Sequence, residues 1–443
     1  MLGINGKWIR ALGAFGLAAA IALVAGCGGG GGGGGGSGGS SGTSSSTNGT
    51  SSSTSSVGGT AANNQIAVTV SSGLNLALKA PNIPMVSVTV CQPGTSICQT
   101  IDNIQLDTGS YGLRLTKDAL GTFLSSLPAE TVSGGKTLAE CAGFADGFSW
   151  GSVRLADVRL GSELASNLPI QILGDISQSA FGSGAGATPS NCSSGTLNDT
   201  PSSLSANGIL GVGTARYDCG SNCVTNLTNG MYYACFSTPS CAQTTVPLNQ
   251  QVGNPVRSFA ADNNGIALTM PTVTSTGVST ATGVLTFGIG TQTNNVQPSS
   301  GLVRFQTDVY GDVPQAMMTS IGTQTYAFFD SGSNGLFFPD TTIAQCSGSS
   351  FFCPATTTTR VANLTGYNAA TSAITLNIAN ASTLIASNGF AFDDLGAYLD
   401  PATSGIFAID VGMPFFYGRT FYFNYDAVGM GNQGVVSNTY VSF

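Results

Sequence analysis

From residue 65 onward the chain is a succession of short apolar or alternating runs, broken by Gly, Pro, Ser and Asn. Residues 66–70 alternate, and so do 85–90 after Pro81 and Pro84, where Val86, Val88 and Val90 share one side. A period of two carried by β-branched residues predicts half-buried strands, and the breaks predict turns. Cys91-Gln92-Pro93-Gly94 predicts a hairpin leading back to residues 101–115 (IDNIQLDTGSYGLRL). Residues 144–161 (FADGFSWGSVRLADVRLG) predict another, with Val153, Leu155, Val158 and Leu160 facing a core. Residues 116–127 are one of few helix-like patches, 183–241 are loop-rich, and 283–290 and 302–318 resume the strand pattern. No helix beyond short turns is predicted after residue 303. The pattern as a whole predicts an all-β protein.

The first 63 residues follow a different logic. Lys7 and Arg10 precede an apolar run at 11–25, too short to favour a membrane span and suited to a signal peptide. The run ends in Val24-Ala25-Gly26-Cys27, which resembles the bacterial lipobox and implies cleavage before Cys27 and lipidation of that residue. Gly28, not aspartate, follows the cysteine, so the sorting pattern points to the outer membrane of a bacterial envelope. Residues 28–63 are almost entirely Gly, Ser and Thr and cannot bury a core. They predict a flexible tether with a reach of about 30–35 Å. The expected division is a leader at 1–26, a lipidated cysteine and tether at 27–63, an N-terminal lobe at 64–290 and a C-terminal lobe at 291–443. A chain of 443 residues exceeds one ordinary core, which favours two lobes.

Composition narrows the chemistry. Only 8% of residues are charged and the net charge is −8, which argues against binding nucleic acid through a basic patch. There is no histidine, so Ser-His and Cys-His nucleophiles and His-ligated metals are excluded, leaving carboxylates as the natural acid–base groups. Apart from Cys27, ten cysteines form an even set, which behind an export signal predicts disulfides. Cys91–Cys98 and Cys346–Cys353 are expected local pairs, and the pairing of the other six is open. The spacing lacks paired C-x-x-C units, and neither a metal nor a cofactor is expected.

Two stretches carry candidate chemistry. Residues 101–115 place Asp107-Thr108-Gly109-Ser110 after an apolar strand, and residues 326–338 (YAFFDSGSNGLFF) do the same with Asp330-Ser331-Gly332-Ser333. Each continues with Gly-Leu, and each is followed in its own half by an apolar segment bearing glycine, NGILGVG at 207–213 and IDVGMPFFYGR at 409–419. A D-[ST]-G triplet alone is a weak signal; the shared surroundings give it weight. Two carboxylates presented this way can face one another and share a proton.

On these residues the chain resembles the pepsin-like aspartic peptidases. The resemblance spans roughly residues 80–435 and implies a bilobal all-β fold with one aspartate loop per lobe. It implies Asp107 and Asp330 as the catalytic pair, Thr108 and Ser331 as hydroxyls bonded across the loops, Ser110 and Ser333 as outer hydroxyls, and Gly109 and Gly332 as supporting turns. Ile209-Leu210-Gly211 resembles the first brace, and Asp410-Val411-Gly412 the second less closely. Phe144, with Trp150 nearby, falls where the family's substrate flap carries tyrosine, and Arg114 falls where its supporting tryptophan stands. An inward-turned Arg114 is expected to lower the pKa of the first carboxylate. The chain is also similar to a family of bacterial lipoproteins with the same two motifs, which informs location and topology but not activity.

The resemblance implies a monomeric, membrane-anchored endopeptidase acting on a peptide or protein substrate, with water activated between the aspartates. The alternative is a non-catalytic lipoprotein of this fold that binds a peptide, glycan or envelope partner in its cleft. Two Asx turns in a β protein are the plainest alternative of all.

Overall fold

The computed structural model of the protein describes residues 63–74, 80–145, 147–177, 196–236, 240–425 and 438–443. The leader, Cys27, residues 28–62 of the expected tether and Cys192 lie outside them. The expected all-β, two-lobed architecture is observed: the described strands form one 17-stranded and one 7-stranded sheet.

In the N-terminal lobe, strand Pro84–Cys91 pairs antiparallel with Cys98–Asp107, with the Cys91–Cys98 disulfide closing the hairpin. The chain turns through the first aspartate loop into Tyr111–Thr116. Gly208–Val212 then inserts between these two arms, parallel to the first and antiparallel to the second. The C-terminal lobe repeats this construction. Strand Thr325–Asp330 enters the second loop, Leu336–Phe338 leaves it, and Ala408–Gly412 lies between them, again parallel to one and antiparallel to the other. In each brace the residue opposite the aspartate is glycine: Gly211 beside Asp107 and Gly412 beside Asp330. A Cβ on Gly412 would lie 2.1 Å from the Gly335 carbonyl oxygen, so a larger residue would push the brace away from the loop.

The lobes share a base. Gln65–Val70, Ala281–Phe287, Gly265–Thr269, Thr420–Asn424, Tyr440–Ser442 and Arg304–Gln306 pair successively in one antiparallel array. Strands from both sides of position 290 therefore form one surface, and the final strands return to the middle of the chain. Phe421 and Phe423 bury fully there with Phe416 and Val441, which explains the aromatic density of the C-terminal segment.

Several local expectations need correction. Residues 144–161 are not a hairpin in themselves: Gly147–Leu160 is one 14-residue strand, paired with Lys136–Gly143 before it and Glu163–Leu173 after it. The strand before Gly147 is joined by backbone hydrogen bonds exchanged between Phe144 and Gly147, and the far turn is at Gly161, whose φ of 61° favours glycine. Val153, Val158 and Leu160 are fully buried, whereas Leu155 is only half-buried; the register shift between Ala156 and Val158 is what lets positions of odd and even number share a side. The helix-like patch at 116–127 resolves into helix Lys117–Leu120 and a 3-10 turn, Gly121–Ser126, capped by Thr116. Beyond residue 303, Ala381–Ala386 forms a six-residue helix started by Asn380, whose side chain accepts from the Thr383 amide. That signal is a cap rather than an apolar period. Cys346–Cys353 pairs as expected, Cys219–Cys223 and Cys235–Cys241 are further disulfides, and Cys141 is also disulfide-bonded.

Asn82 fastens one lobe to the other. Its backbone has φ 59°, a region asparagine tolerates better than most residues. Its amide donates to the carbonyls of Asn334 (3.0 Å) and Phe392 (3.0 Å), and its oxygen accepts from the Phe392 amide (2.8 Å) and the Tyr417 hydroxyl (3.0 Å). Asn82→Ala leaves four buried groups without their hydrogen bonds and puts alanine in a φ region it tolerates less well than asparagine, so denaturant unfolding should show a loss of about 3 kcal/mol. Asn82→Gly, which keeps the backbone relaxed, should lose less.

Candidate active site

Two reciprocal pairs of hydrogen bonds bring the aspartate loops together. The Thr108 hydroxyl donates to the Phe329 carbonyl (3.0 Å) and accepts from the Ser331 amide (2.9 Å). The Ser331 hydroxyl donates to the Leu106 carbonyl (2.8 Å) and accepts from the Thr108 amide (3.1 Å). Corresponding residues in the two halves are separated by 223 positions, so the four bonds are two copies of one interaction. Gln105 adds a fifth link, its amide donating to the Gly332 carbonyl at 2.7 Å.

Within each loop the carboxylate is held by its own turn. Asp107 Oδ1 accepts from the amides of Gly109 (2.7 Å) and Ser110 (3.1 Å), and Oδ2 from the Ser110 hydroxyl (2.5 Å). Asp330 Oδ1 accepts from the Gly332 amide (2.8 Å), and Oδ2 contacts the Ser333 hydroxyl (2.9 Å). A Cβ on Gly332 would stand 2.7 Å from Asp107 Cγ, so glycine is what lets the second loop lie against the first carboxyl. The eight loop residues named from the sequence are thus gathered in one place.

Both aspartates are fully buried, and they hydrogen-bond to one another. Burial, and then the charge of Asp330, push the Asp107 carboxyl well above the usual carboxylate range, outweighing the Ser110 and Gly109 donors that favour the ionised form. The pair therefore retains a proton at pH values where isolated carboxylates have lost theirs.

Arg114 does not depress this pKa. Its guanidinium is fully buried but committed elsewhere, at 2.6 Å from Glu140 and 3.0 Å from Asp218, with a further bond to the Tyr111 carbonyl. Tyr232 donates to Asp218 (2.8 Å) and accepts from the Val252 amide (2.7 Å). One cation faces two carboxylates here; burial and the charge of Glu140 raise the Asp218 carboxyl well above its ordinary range. The cluster ties the outgoing arm of the first loop to the strand Lys136–Gly143. Sequence reasoning placed Arg114 but missed Glu140, Asp218 and Tyr232, which no local pattern connects.

The two flap residues face the protein interior. Phe144 (6% exposed) packs with Ile83, Met85, Leu173, Leu204 and Ile209, with Arg114 6.0 Å from its ring centre. Trp150 (1% exposed) sits in a different cluster, edge-on to Tyr233. The hairpin turn instead brings Ala145 against an apolar cluster of the C-terminal lobe that includes Phe328, Phe337, Leu395 and Ala408. The hairpin thus reaches across to the opposite lobe while its aromatic rings serve its own.

A carboxyl with a raised folded-state pKa binds its proton more tightly in the folded protein than in the unfolded chain. The stability it contributes is fully present below the unfolded value, about 4, and is lost as pH rises through the folded value. The wild-type melting temperature should therefore decline as pH rises above about 4, and Asp107→Asn should flatten part of that decline. Melting curves of both proteins across the same pH series check this.

Comparison with known proteins gives three results. No curated protein matches the chain. Among solved structures, it is similar to an aspartic proteinase from Irpex lacteus, with 16% identity, a TM-score of 0.46, and coverage of 85% of this chain and 96% of that one. Residues 60–443 match the family model described as "Protein of unknown function (DUF3443)", and the chain belongs to that family.

Proposed function

We propose that the protein is a membrane-anchored aspartic endopeptidase in which Asp107 and Asp330 activate water against a peptide carbonyl. The observation that carries this reading is the paired carboxylate geometry. Two buried aspartates touch, each receives an amide and a serine hydroxyl from its own turn, and one of them is biased to hold a proton. Asp330, ionised, accepts a proton from water as it attacks; Asp107, protonated, donates to the carbonyl oxygen. Neither step calls for a covalent intermediate. The reading needs water and substrate to reach the pair, because both carboxylates are fully buried.

The same burial favours the rival, a non-catalytic protein of this fold that holds a peptide, glycan or envelope partner. Cleavage of an unfolded protein mixture across acidic to neutral pH separates the two. Wild-type protein should cleave best at acidic pH, and Asp107→Asn or Asp330→Asn should each reduce the rate by about 10²–10⁴-fold while leaving the fold intact. Silence from folded wild-type protein over that range would favour the binder.

Leader 1–26, lipidation at Cys27 and tether 27–63 complete the proposal, on the strength of the lipobox-like VAGC and the Gly/Ser tract. The two lobes would then stand off the outer membrane, with the lipid as the membrane contact. Cys27→Ser should abolish lipid labelling and move the protein from the membrane to the soluble fraction. Continued membrane retention without lipid would sink this part of the proposal.

A further inference from the structure

The two aspartate loops are nearly equivalent, but their outer serines are not. Ser110 contacts one carboxylate, Asp107, at 2.5 Å. Ser333 contacts two: its hydroxyl oxygen lies 2.9 Å from Asp330 Oδ2 and 2.6 Å from Asp410 Oδ2. Asp330, Ser333 and Asp410 are all fully buried. Asp410 lies on the second brace, in register with Phe328 on one side and Phe337 on the other. Its counterpart in the N-terminal lobe is Ile209, in register with Gln105 and Arg114. The acid is thus a departure from the internal symmetry, set between two phenylalanines.

The proton count is decisive. A serine hydroxyl carries one hydrogen and can donate it to only one oxygen. If Asp330 and Asp410 were both ionised, one of these two short contacts would join a lone pair to an anionic oxygen in a fully buried site, which is strongly unfavourable. One of the two carboxyls must therefore supply the second hydrogen. With Asp410 as that donor, all groups align in one direction: Asp410 O–H to Ser333 Oγ, and Ser333 O–H to Asp330 Oδ2. Asp330 then receives a hydrogen bond polarised by the one behind it. The strands packed against the brace bring two titratable side chains, Tyr326 and Asp330, both on Thr325–Asp330; Leu336–Phe338 brings none.

We infer that Asp410 is a neutral buried acid and a positioning residue, which orients the Ser333 hydroxyl toward Asp330 and so keeps that carboxylate ionised for its role as base. The inference deepens the peptidase reading and rests on it for the kinetic consequence, while the placement of the proton stands apart from activity.

The test uses the whole protein. In infrared spectra at neutral pH, Asp410→Asn should delete a carbonyl band of a protonated carboxylic acid, and that band should persist in Asp107→Asn. In cleavage assays, Asp410→Ile, which copies Ile209, should lower kcat about tenfold with KM nearly unchanged. It should also move the acid limb of the pH profile up by about one unit, because Asp330 loses support for its charged form. Asp410→Asn, whose amide can donate to Ser333, should recover most of that loss. A spectrum in which Asp410→Asn removes no acid band would overturn the inference, as would an unshifted pH profile in Asp410→Ile. If wild-type protein does not cleave, the peptidase reading fails and the infrared result still decides whether Asp410 carries the proton. If Asp410→Ile does not fold, Asp410→Asn and the spectra remain decisive.

Discussion

The exchange of hydrogen bonds between Thr108 and Ser331 is the constraint on which the rest of the molecule depends. Two aspartates brought into contact repel once both ionise, and a dry interior increases the cost of each charge. Something must hold the loops together against that cost. Two hydroxyls, each donating to a carbonyl in the other lobe and accepting an amide from it, do so without adding charge. Each hydroxyl makes one donor and one acceptor contact, so neither side chain of the junction is buried without partners. The base sheet and Asn82 then fix the lobes farther out, where small rotations would otherwise be magnified at the loops.

Internal symmetry explains how the loops are built, and departures from it show where the halves differ in task. Positions separated by 223 residues occupy matching places in the two lobes: Asp107 and Asp330, Ser110 and Ser333, Arg114 and Phe337. The N-terminal brace is apolar at Ile209 and has polar neighbours, Gln105 and Arg114. The C-terminal brace reverses this, with an acid at Asp410 between phenylalanines. Polarity has been exchanged between centre and flank. Arg114, buried with Glu140 and Asp218, stiffens the support under the hairpin, whereas Asp410 reaches the aspartate pair through Ser333.

The parts legible in the sequence are those fixed by contacts near in the chain or by a repeated pattern. The two loops were legible because each turn requires its own Asp, Gly and Ser within four residues, and the chain states that requirement twice. Cys91–Cys98 and Cys346–Cys353 were legible because short loops leave little choice of partner. Glu140, Asp218 and Tyr232 were not: they converge on Arg114 from 26 to over 100 residues away, and nothing local marks an acid that will be buried. The fate of Phe144 and Trp150 was hidden for a similar reason. Alternation on a strand assigns two faces but does not say which aromatic faces a cleft and which a core. Asp410 left a faint mark, a carboxylate within the apolar run IDVGMPFF, where a brace calls for a hydrophobic residue. Asn82 left another, lying between Pro81 and Ile83-Pro84, where the chain has little freedom to turn except through a residue that tolerates positive φ.

Burial and protonation are coupled at the aspartate pair. The largest cause of the raised Asp107 pKa is burial, which is complete for both aspartates. Any opening that lets water reach the pair relieves the desolvation and lowers the Asp107 pKa, so the closed state binds the proton more tightly than an open one. By the same linkage, acid favours closure and higher pH favours opening. The neutral donor inferred at Asp410 acts on the other carboxylate, keeping Asp330 ionised while acid conditions keep Asp107 protonated. The two aspartates are thereby driven toward unlike states by burial on one side and a polarised hydroxyl on the other, which is the division of labour that acid–base work by two identical side chains requires.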